Sequence, residues 1–204
     1  MDPTLLKHAR DAIGFMPDDE GLALHDAGVA AAEIGPLLEV GTYCGKSAVY
    51  LGAAARAGNT VLFTVDHHRG SEENQAGWEW HDESLVDPRT GRMDTLPFFR
   101  RTIEDAGLED VVIAVVGTST TVARHLATPL GLLFIDGGHA FDVALADYEA
   151  WSPLLAMGGS LVFHDVFEDP SDGGQAPFEV WKRAVSDGYE PVSTTGSLRV
   201  LRKG

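Results

Sequence analysis

Residues 37–66 read LLEVGTYCGKSAVYLGAAARAGNTVLFTVD: an apolar run, a glycine-containing turn, a helical pattern and a second apolar run. This order predicts a β-α-β unit in which LLEVG (37–41) and VLFTVD (61–66) are parallel strands. The intervening helix is expected from about Lys46 to Ala57 and ends at the turn Gly58-Asn59. The unit therefore predicts an α/β fold.

The turn of this unit, GTYCGKS (41–47), is one residue short of the G-x-x-x-x-G-K-[ST] loop that wraps nucleotide phosphates. Thr42, Tyr43 and Cys44 alone separate its two glycines, so it cannot offer the same ring of backbone N–H donors. A P-loop-like nucleotide-binding protein is nevertheless a competing interpretation of the Gly-Lys-Ser sequence.

Composition limits the class of protein. The 204 residues are 44% hydrophobic and 23% charged, which suits a single domain over residues 1–204. A net charge of −16 opposes nucleic-acid binding, because such binding relies on clustered Lys and Arg. One cysteine, Cys44, excludes an intrachain disulfide and agrees with a reducing compartment. No apolar run approaches the ~20 residues that span a bilayer, and the N-terminus lacks the features of a signal peptide. We therefore expect a cytoplasmic protein with no nucleic-acid or membrane partner.

The remaining apolar runs continue the same alternation. Further strands are predicted at 111–116, 132–136 and 160–165, further helices at 95–107, 141–155 and 178–187, and a hairpin at 189–203 turning at Gly196. The fold class is therefore α/β, a Rossmann-like doubly wound and mostly parallel sheet with helices on both faces and a C-terminal antiparallel hairpin. We expect residues 1–35 to form outer helices and the irregular residues 67–94 to form an inserted lid over the ligand-binding edge of the sheet.

Glycine and acidic residues lie at the predicted strand ends, where open α/β sheets bind ligands. Glu39-x-Gly41-x-x-x-Gly45, followed by Asp66 after the second strand, resembles the first motif of class I S-adenosylmethionine-dependent methyltransferases. The resemblance covers roughly residues 37–165 and implies that Asp66 holds the cofactor ribose. The full set of cofactor-binding residues that it implies is Glu39, Gly41, Thr42, Tyr43, Gly45, Ser47, Asp66, Thr118, Ser119 and Asp136.

FIDGGHAFDVALADYEAW (134–151) and GGSLVFHDVF (158–167) form the second motif. They resemble the metal-dependent O-methyltransferase branch of that family, with Phe141 in place of its usual Tyr. The resemblance implies that Asp136, His164 and Asp165 hold Mg²⁺ or Mn²⁺. His164 departs from the family pattern, which usually has an acidic pair or Asp-Asn there, so it either ligates or supports the metal.

The residues themselves support this chemistry. Strands four and five should be neighbours, about 4.8 Å apart, which brings Asp136 and Asp165 together. Two adjacent carboxylates repel each other unless a cation compensates them, and oxygen-rich ligation suits Mg²⁺ or Mn²⁺. Such a cation can lower the pKa of a substrate hydroxyl, and His139 is the candidate catalytic base for its proton. A non-haem iron oxygenase site, or structural roles for His139 and Asp165, are the alternatives.

The predicted lid offers groups for binding a polyhydroxylated acceptor. Its stretch TVDHHRGSEENQAGWEWHD (64–82) is similar to mycobacterial sugar O-methyltransferases, including those of methylmannose polysaccharide synthesis. The resemblance implies a saccharide acceptor and, more narrowly, the 1-hydroxyl of a methylated mannoside. The candidate acceptor-binding residues are His68, Glu72, Gln75 and Trp78. Covering the core or a dimer contact is the alternative role of the tryptophans, and apolar N-terminal helices favour a homodimer.

Overall fold

A computed structural model describes residues 1–78 and 80–204 of the chain. The helices are α1 (Pro3–Asp11), α2 (Asp18–Ala31), α3 (Lys46–Ala57), α4 (Leu96–Asp105), α5 (Ser119–Ala123), α6 (Phe141–Trp151) and α7 (Ala176–Ser186). The strands are β1 (Leu37–Val40), β2 (Leu62–Asp66), β3 (Val86–Asp87), β4 (Arg92–Met93), β5 (Val112–Val116), β6 (Leu130–Ile135), β7 (Leu155–Phe163), β8 (Tyr189–Thr195) and β9 (Leu198–Lys203). None of the described helices is both long enough and apolar enough to cross a membrane.

Seven of the strands form one mixed sheet in the order β5-β2-β1-β6-β7-β9-β8. The pairs from β5 to β7 are parallel, and the β8–β9 hairpin adds two antiparallel strands at the β7 side. The chain runs outward from β1 through β2 to β5 and then returns to β6, beside β1. The predicted fold class is confirmed, and the switch point of the sheet lies between β1 and β6.

Alternating side chains of the strands fill two cores, one on each face of the sheet. On β1, Leu37 packs in the core with α1, α2 and α3, whereas Leu38 packs in the core with α6 and α7. Both leucines are fully buried, and each such burial contributes about 1.5–3 kcal/mol. α2 packs closely against α3 because Gly21 faces the ring of Tyr50, where any Cβ would collide.

The glycine pair 158–159 does not form the turn that the sequence predicts before the fifth strand. β7 begins at Leu155 and runs through both glycines, because Gly159 packs against the neighbouring strand and a Cβ there would lie 2.9 Å from the carbonyl oxygen of Gly131. The preceding helix correspondingly ends at Trp151, where a 3₁₀ turn containing Pro153 follows. The pair lies in an irregular part of β7, where the register against β6 shifts between Leu155 and Ser160. Gly158 adopts a φ of 77° there, and Gly159 permits the close approach of Gly131.

The segment 67–94 contains little regular structure in its described residues. It holds two 3₁₀ turns, at Glu72–Asn74 and Glu83–Leu85, and the two-residue strands β3 and β4. Leu85 and Met93 pack with the buried Cys44, which anchors the segment beside the loop that follows β1. Its role as a lid over the acceptor, like the assignment of residues 1–204 to a single domain, stays a prediction.

Candidate active site

An open cleft with a volume of about 1480 Å³ lies at the carboxyl ends of the parallel strands. It spans the switch point between β1 and β6, because the loops after these strands diverge to opposite faces of the sheet. Most of the candidate residues line it. These are Gly41, Thr42, Tyr43, Ser47, Asp66, Glu72, Trp78, Thr118, Ser119, Asp136, His139, His164 and Asp165.

Asp66 organises the loop between β1 and α3. Its Oδ2 accepts hydrogen bonds from the backbone N–H groups of Thr42 (2.9 Å) and Tyr43 (3.0 Å), and its Oδ1 accepts the N–H of His68 (2.7 Å). The donors that a phosphate would need are therefore already bound to a carboxylate. The loop also passes close to β6, since a Cβ on Gly41 would lie 2.2 Å from the carbonyl oxygen of Asp136.

Glu39 lies beneath this loop and not in the cleft. Its side chain is fully buried, and its carboxyl group accepts hydrogen bonds from the hydroxyls of Thr42 and Ser47 (2.9 Å for the second). Burial, reinforced by the nearby charges of Asp136 and Asp66, raises the pKa of Glu39 to about 8, although the two hydroxyl hydrogen bonds oppose this shift. Glu39 therefore supports the loop between β1 and α3 from behind.

The raised pKa of Glu39 predicts a pH-dependent stability. The folded protein holds this proton up to about pH 8, whereas an ordinary Glu loses it near 4.5, so the contribution of Glu39 to stability falls as the pH rises from about 4.5 to about 8. Glu39→Gln cannot ionise and should gain at least about 1.4 kcal/mol relative to wild type between pH 5 and 8, the value of one pKa unit. Urea unfolding at several pH values measures this, and parallel profiles for the two proteins would contradict it.

Three other candidates also lie outside the cleft lining. His68 is buried, with Nδ1 2.8 Å from the hydroxyl of Thr95, and Gln75 donates to backbone carbonyls of its own segment. Gly45 precedes α3 in the left-handed region and packs against α4. All three hold the loops around the cleft, because their polar atoms or backbone are engaged there.

Two carboxylates and an imidazole meet at the ends of β6 and β7. One ligand atom from each of Asp136, His139 and Asp165 lies within 4.8 Å of the others. Nε2 of His139 is 3.2 Å from Oδ2 of Asp165, and its Nδ1 is 3.0 Å from Oε2 of Glu73. Burial opposes protonation of His139, but the hydrogen bond to Asp165 and the surrounding negative charges outweigh it and raise its pKa to about 9. In this form His139 donates hydrogen bonds to Asp165 through Nε2 and to Glu73 through Nδ1, and its predicted role as catalytic base stays a prediction.

His164 lies behind these groups. It is 4% exposed, with Nε2 2.6 Å from Oε2 of Glu20 and Nδ1 3.2 Å from Oδ1 of Asp136. Burial lowers the pKa of His164, but the charge and hydrogen bonds of these carboxylates raise it well above its ordinary value. Both ring nitrogens are therefore engaged, and the cluster of possible metal ligands contains His139 where the sequence predicts His164.

Acidic side chains dominate the cleft. They are Asp66, Glu72, Glu73, Asp136, Asp142, Asp147, Asp165 and Asp172. Among the described lining residues, Lys46 is the one Lys or Arg, and three histidines complete the basic groups. A concave site with this charge attracts cations and disfavours anionic ligands.

An aromatic cluster formed by Phe15, Tyr43 and Trp80 stands at the mouth of the cleft. The ring centroid of Phe15 lies 5.5 Å from that of Tyr43 and 5.4 Å from that of Trp80. Phe15 is 60% exposed and Trp80 is 49% exposed, so both present a free ring surface. Sequence reasoning missed Phe15, and the available signal was an apolar ring in the short segment between two predicted helices.

Comparison with known proteins identifies related chains. The model of a family described as a methyltransferase domain matches residues 38–166. A Corynebacterium glutamicum protein aligns with a TM-score of 0.71 at 19% identity, over 100% of this chain and 91% of that one. An O-methyltransferase from Bacillus cereus, in complex with S-adenosylhomocysteine, aligns with a TM-score of 0.66 at 18% identity, over 100% of this chain and 92% of that one. CalS11, a TDP-rhamnose 3′-O-methyltransferase of calicheamicin biosynthesis, aligns with a TM-score of 0.64 at 17% identity, over 90% of this chain and 79% of that one.

Proposed function

Because this chain belongs to the methyltransferase-domain family, we propose that it transfers the methyl group of S-adenosylmethionine to a hydroxyl of a small molecule with the assistance of a divalent cation. One observation carries this proposal: the Asp66-bound loop and the Asp136–His139–Asp165 cluster face the same cleft at the switch point. The loop suits a cofactor, and the cluster suits a cation that holds an oxygen nucleophile.

The residues around the loop fit the methyl donor. Gly45, the N-cap residue of α3, has no side chain to bind the first N–H groups of this helix, so these groups can bind the methionine carboxylate. After its three backbone hydrogen bonds, Asp66 retains about one free lone pair, on Oδ1, and can accept a ribose hydroxyl there. Thr118 and Ser119 line the far side of the cleft, where the adenine would lie. The acidic walls favour the sulfonium charge.

The residues of the cluster fit a divalent cation. Two carboxylates and one imidazole within 4.8 Å form a set that suits Mn²⁺, while Mg²⁺ favours oxygen ligands more strongly. A bound cation would lower the pKa of the acceptor hydroxyl and hold it toward the methyl donor. Glu73 fixes the ring of His139 through Nδ1, which leaves Nε2 directed at Asp165. Because a ring nitrogen of His139 belongs to the cluster, we propose His139 as a cation ligand that would release its Nε2 proton when the cation binds, and the role of catalytic base is the alternative.

Replacement of His139 separates these two roles. His139→Ala should weaken Mn²⁺ binding about 10-fold or more and lower methyl transfer in parallel, because it removes one of three protein ligands. Titration of Mn²⁺ by electron paramagnetic resonance, beside an activity assay, measures both effects. Loss of activity with an unchanged Mn²⁺ affinity would instead make His139 the catalytic base. His67→Ala is the matched control, since His67 lines the cleft outside the cluster.

The acceptor that best fits the cleft is an uncharged saccharide. The aromatic cluster offers flat surfaces for the apolar face of a sugar ring, and Glu72 and Asn74 add hydrogen-bonding groups beside it. The excess of carboxylates disfavours acceptors that carry phosphate. A 1-hydroxyl of a methylated mannoside stays our narrower proposal, and we retain the proposal of a homodimer.

Loss of an aromatic ring from this cluster should weaken binding of the acceptor and leave binding of S-adenosylmethionine unchanged. Phe15→Ala and Trp80→Ala are each expected to raise KM for a saccharide acceptor about 3–10-fold, since an aromatic contact is worth about 0.5–1.5 kcal/mol. The dissociation constant of S-adenosylmethionine should stay within two-fold, about the scatter of such measurements. Steady-state kinetics with both substrates varied tests this. An unchanged acceptor KM in both variants would show that the aromatic cluster does not bind the acceptor. Phe141→Ala is the control, because Phe141 is exposed outside the cleft lining.

The hydrogen bonds of Asp66 and the composition of the cluster disfavour the two competing functions. A nucleotide-phosphate loop needs free N–H donors, but those of Thr42 and Tyr43 bind Asp66. An iron oxygenase typically uses two histidines and one carboxylate, whereas this cluster has one histidine and two carboxylates.

A further inference from the structure

Glu20, a buried carboxylate on α2, lies behind the reactive edge of the cleft. It is 4% exposed, and its Oε2 is 2.6 Å from Nε2 of His164, a residue 144 positions away in sequence. Its Oε1 accepts the backbone N–H of Ser197 in the turn between β8 and β9. Glu20 therefore connects an N-terminal helix and the C-terminal hairpin to the end of β7.

His164 extends this connection to the cluster. Its Nδ1 lies 3.2 Å from Oδ1 of Asp136 and 3.5 Å from Oδ2 of Asp165. One ring nitrogen thus faces both carboxylates of the proposed cation site. The ring is buried against Phe134, so it cannot turn away without losing the hydrogen bond to Glu20. The position of Glu20 consequently sets the direction of Nδ1.

The β8–β9 turn is shaped to receive this carboxylate. Gly196 has a φ of 51°, and a Cβ added there would lie 2.0 Å from Oε1 of Glu20. Ser197 supplies its backbone N–H and a hydroxyl 3.3 Å from Oε2. A buried ion pair is weak evidence for stability, because desolvation offsets the attraction of the charges. Holding other groups in one orientation explains the pair better.

We propose that Glu20 is a positioning residue for methyl transfer: acting through His164, it fixes the two carboxylates of Asp136 and Asp165 at the spacing that a cation requires. This inference rests on the proposed function, in which these carboxylates hold the cation. Partners that orient metal ligands from behind typically change metal affinity or activity 10–100-fold when they are replaced. Glu20 acts from helix α2, whereas the carboxylates that it positions follow strands β6 and β7.

Glu20→Gln tests the proposal with little change of shape. The amide keeps an oxygen acceptor for Ser197 but removes the charged acceptor of His164. Mn²⁺ affinity, measured by electron paramagnetic resonance, and kcat should each fall about 10–100-fold. The KM and the dissociation constant of S-adenosylmethionine should not change. Asp18→Asn is the control on the same helix, because Asp18 binds Arg10 and Tyr50 outside the cleft and should alter none of these values.

Spectroscopy and a second variant distinguish a role of Glu20 in orienting His164 from a role in stabilising the fold alone. In protein with ¹⁵N-labelled histidine, the ring signals of His164 should shift in Glu20→Gln and stay unchanged in Asp18→Asn. Gly196→Ala, which displaces the carboxylate without removing it, should reproduce the loss of Mn²⁺ affinity. Wild-type Mn²⁺ affinity and kcat in both variants, with a lower melting temperature alone, would overturn the proposal. A wild-type protein that binds Mn²⁺ but transfers no methyl group would overturn the proposed function, while the Mn²⁺ titrations would still decide the role of Glu20.

Discussion

Replacing Asp165 with Asn is expected to lower kcat/KM for methyl transfer by at least about 100-fold, while the affinity for S-adenosylmethionine stays within about two-fold. The substitution removes one of the two carboxylates of the cluster, and the loss of a proposed direct ligand should exceed the 10–100-fold cost of losing an outer partner. Asn tolerates the left-handed backbone that Asp165 adopts, with a φ of 54°, so the turn after β7 should persist.

A radiolabelled-methyl assay with saturating Mn²⁺, together with donor calorimetry, measures both parts of this prediction. Asp142→Asn is the matched control, because Asp142 lines the cleft at the start of α6 but lies outside the cluster. Full activity in Asp165→Asn would eliminate the cation site at this edge. A parallel loss in the control would assign the effect to the general charge of the cleft.

Removal of the Asp66 carboxylate should have the largest effect on donor binding. Asp66→Ala is expected to weaken S-adenosylmethionine about 10–100-fold, since hydrogen bonds to charged groups are worth about 1.5–3 kcal/mol. Two losses combine here: the proposed acceptor for the ribose, and the anchor of the N–H groups of Thr42 and Tyr43. The donor-binding loop would then have to order itself when the cofactor binds.

Isothermal titration with S-adenosylmethionine and S-adenosylhomocysteine tests the second prediction. Asp87→Asn is its control, because Asp87 also accepts a backbone N–H two residues ahead but lies outside the cleft lining. Unchanged affinity for both compounds in Asp66→Ala would show that the acid after β2 does not hold the donor.

The sequence predicted the sheet well because each strand is a local signal. The runs at 37–41 and 61–66 and the helix between them correspond to β1, β2 and α3 within one residue at each end. The pair Gly158-Gly159 was misinterpreted, since a local pattern cannot distinguish a turn from a glycine that two strands require for close packing. That distinction depends on Gly131, which lies on the adjacent strand.

The sequence predicted the site residues that follow adjacent strands. It did not predict contacts between side chains that are distant in sequence. Asp136, His139 and Asp165 follow two adjacent strands, and their proximity follows from the order of the sheet. The orientation of His164 depends on Glu20, and no sequence spacing connects residues 144 positions apart. Phe15 likewise enters the site only because the segment between α1 and α2 folds against the loop after β1.

Transfer of a ¹³C-labelled methyl group from S-adenosylmethionine to uncharged saccharides, followed by mass spectrometry with and without chelator, tests the central claim most directly. The panel would include methylated mannosides with a free 1-hydroxyl and matched nucleotide sugars. We predict a labelled O-methyl group on an uncharged sugar, as a methyl glycoside at the 1-hydroxyl or a methyl ether elsewhere, lost on chelation and restored by Mn²⁺. Labelled product that forms equally well in chelator, or the absence of labelled O-methyl product on every hydroxylated acceptor despite tight donor binding, would contradict the account.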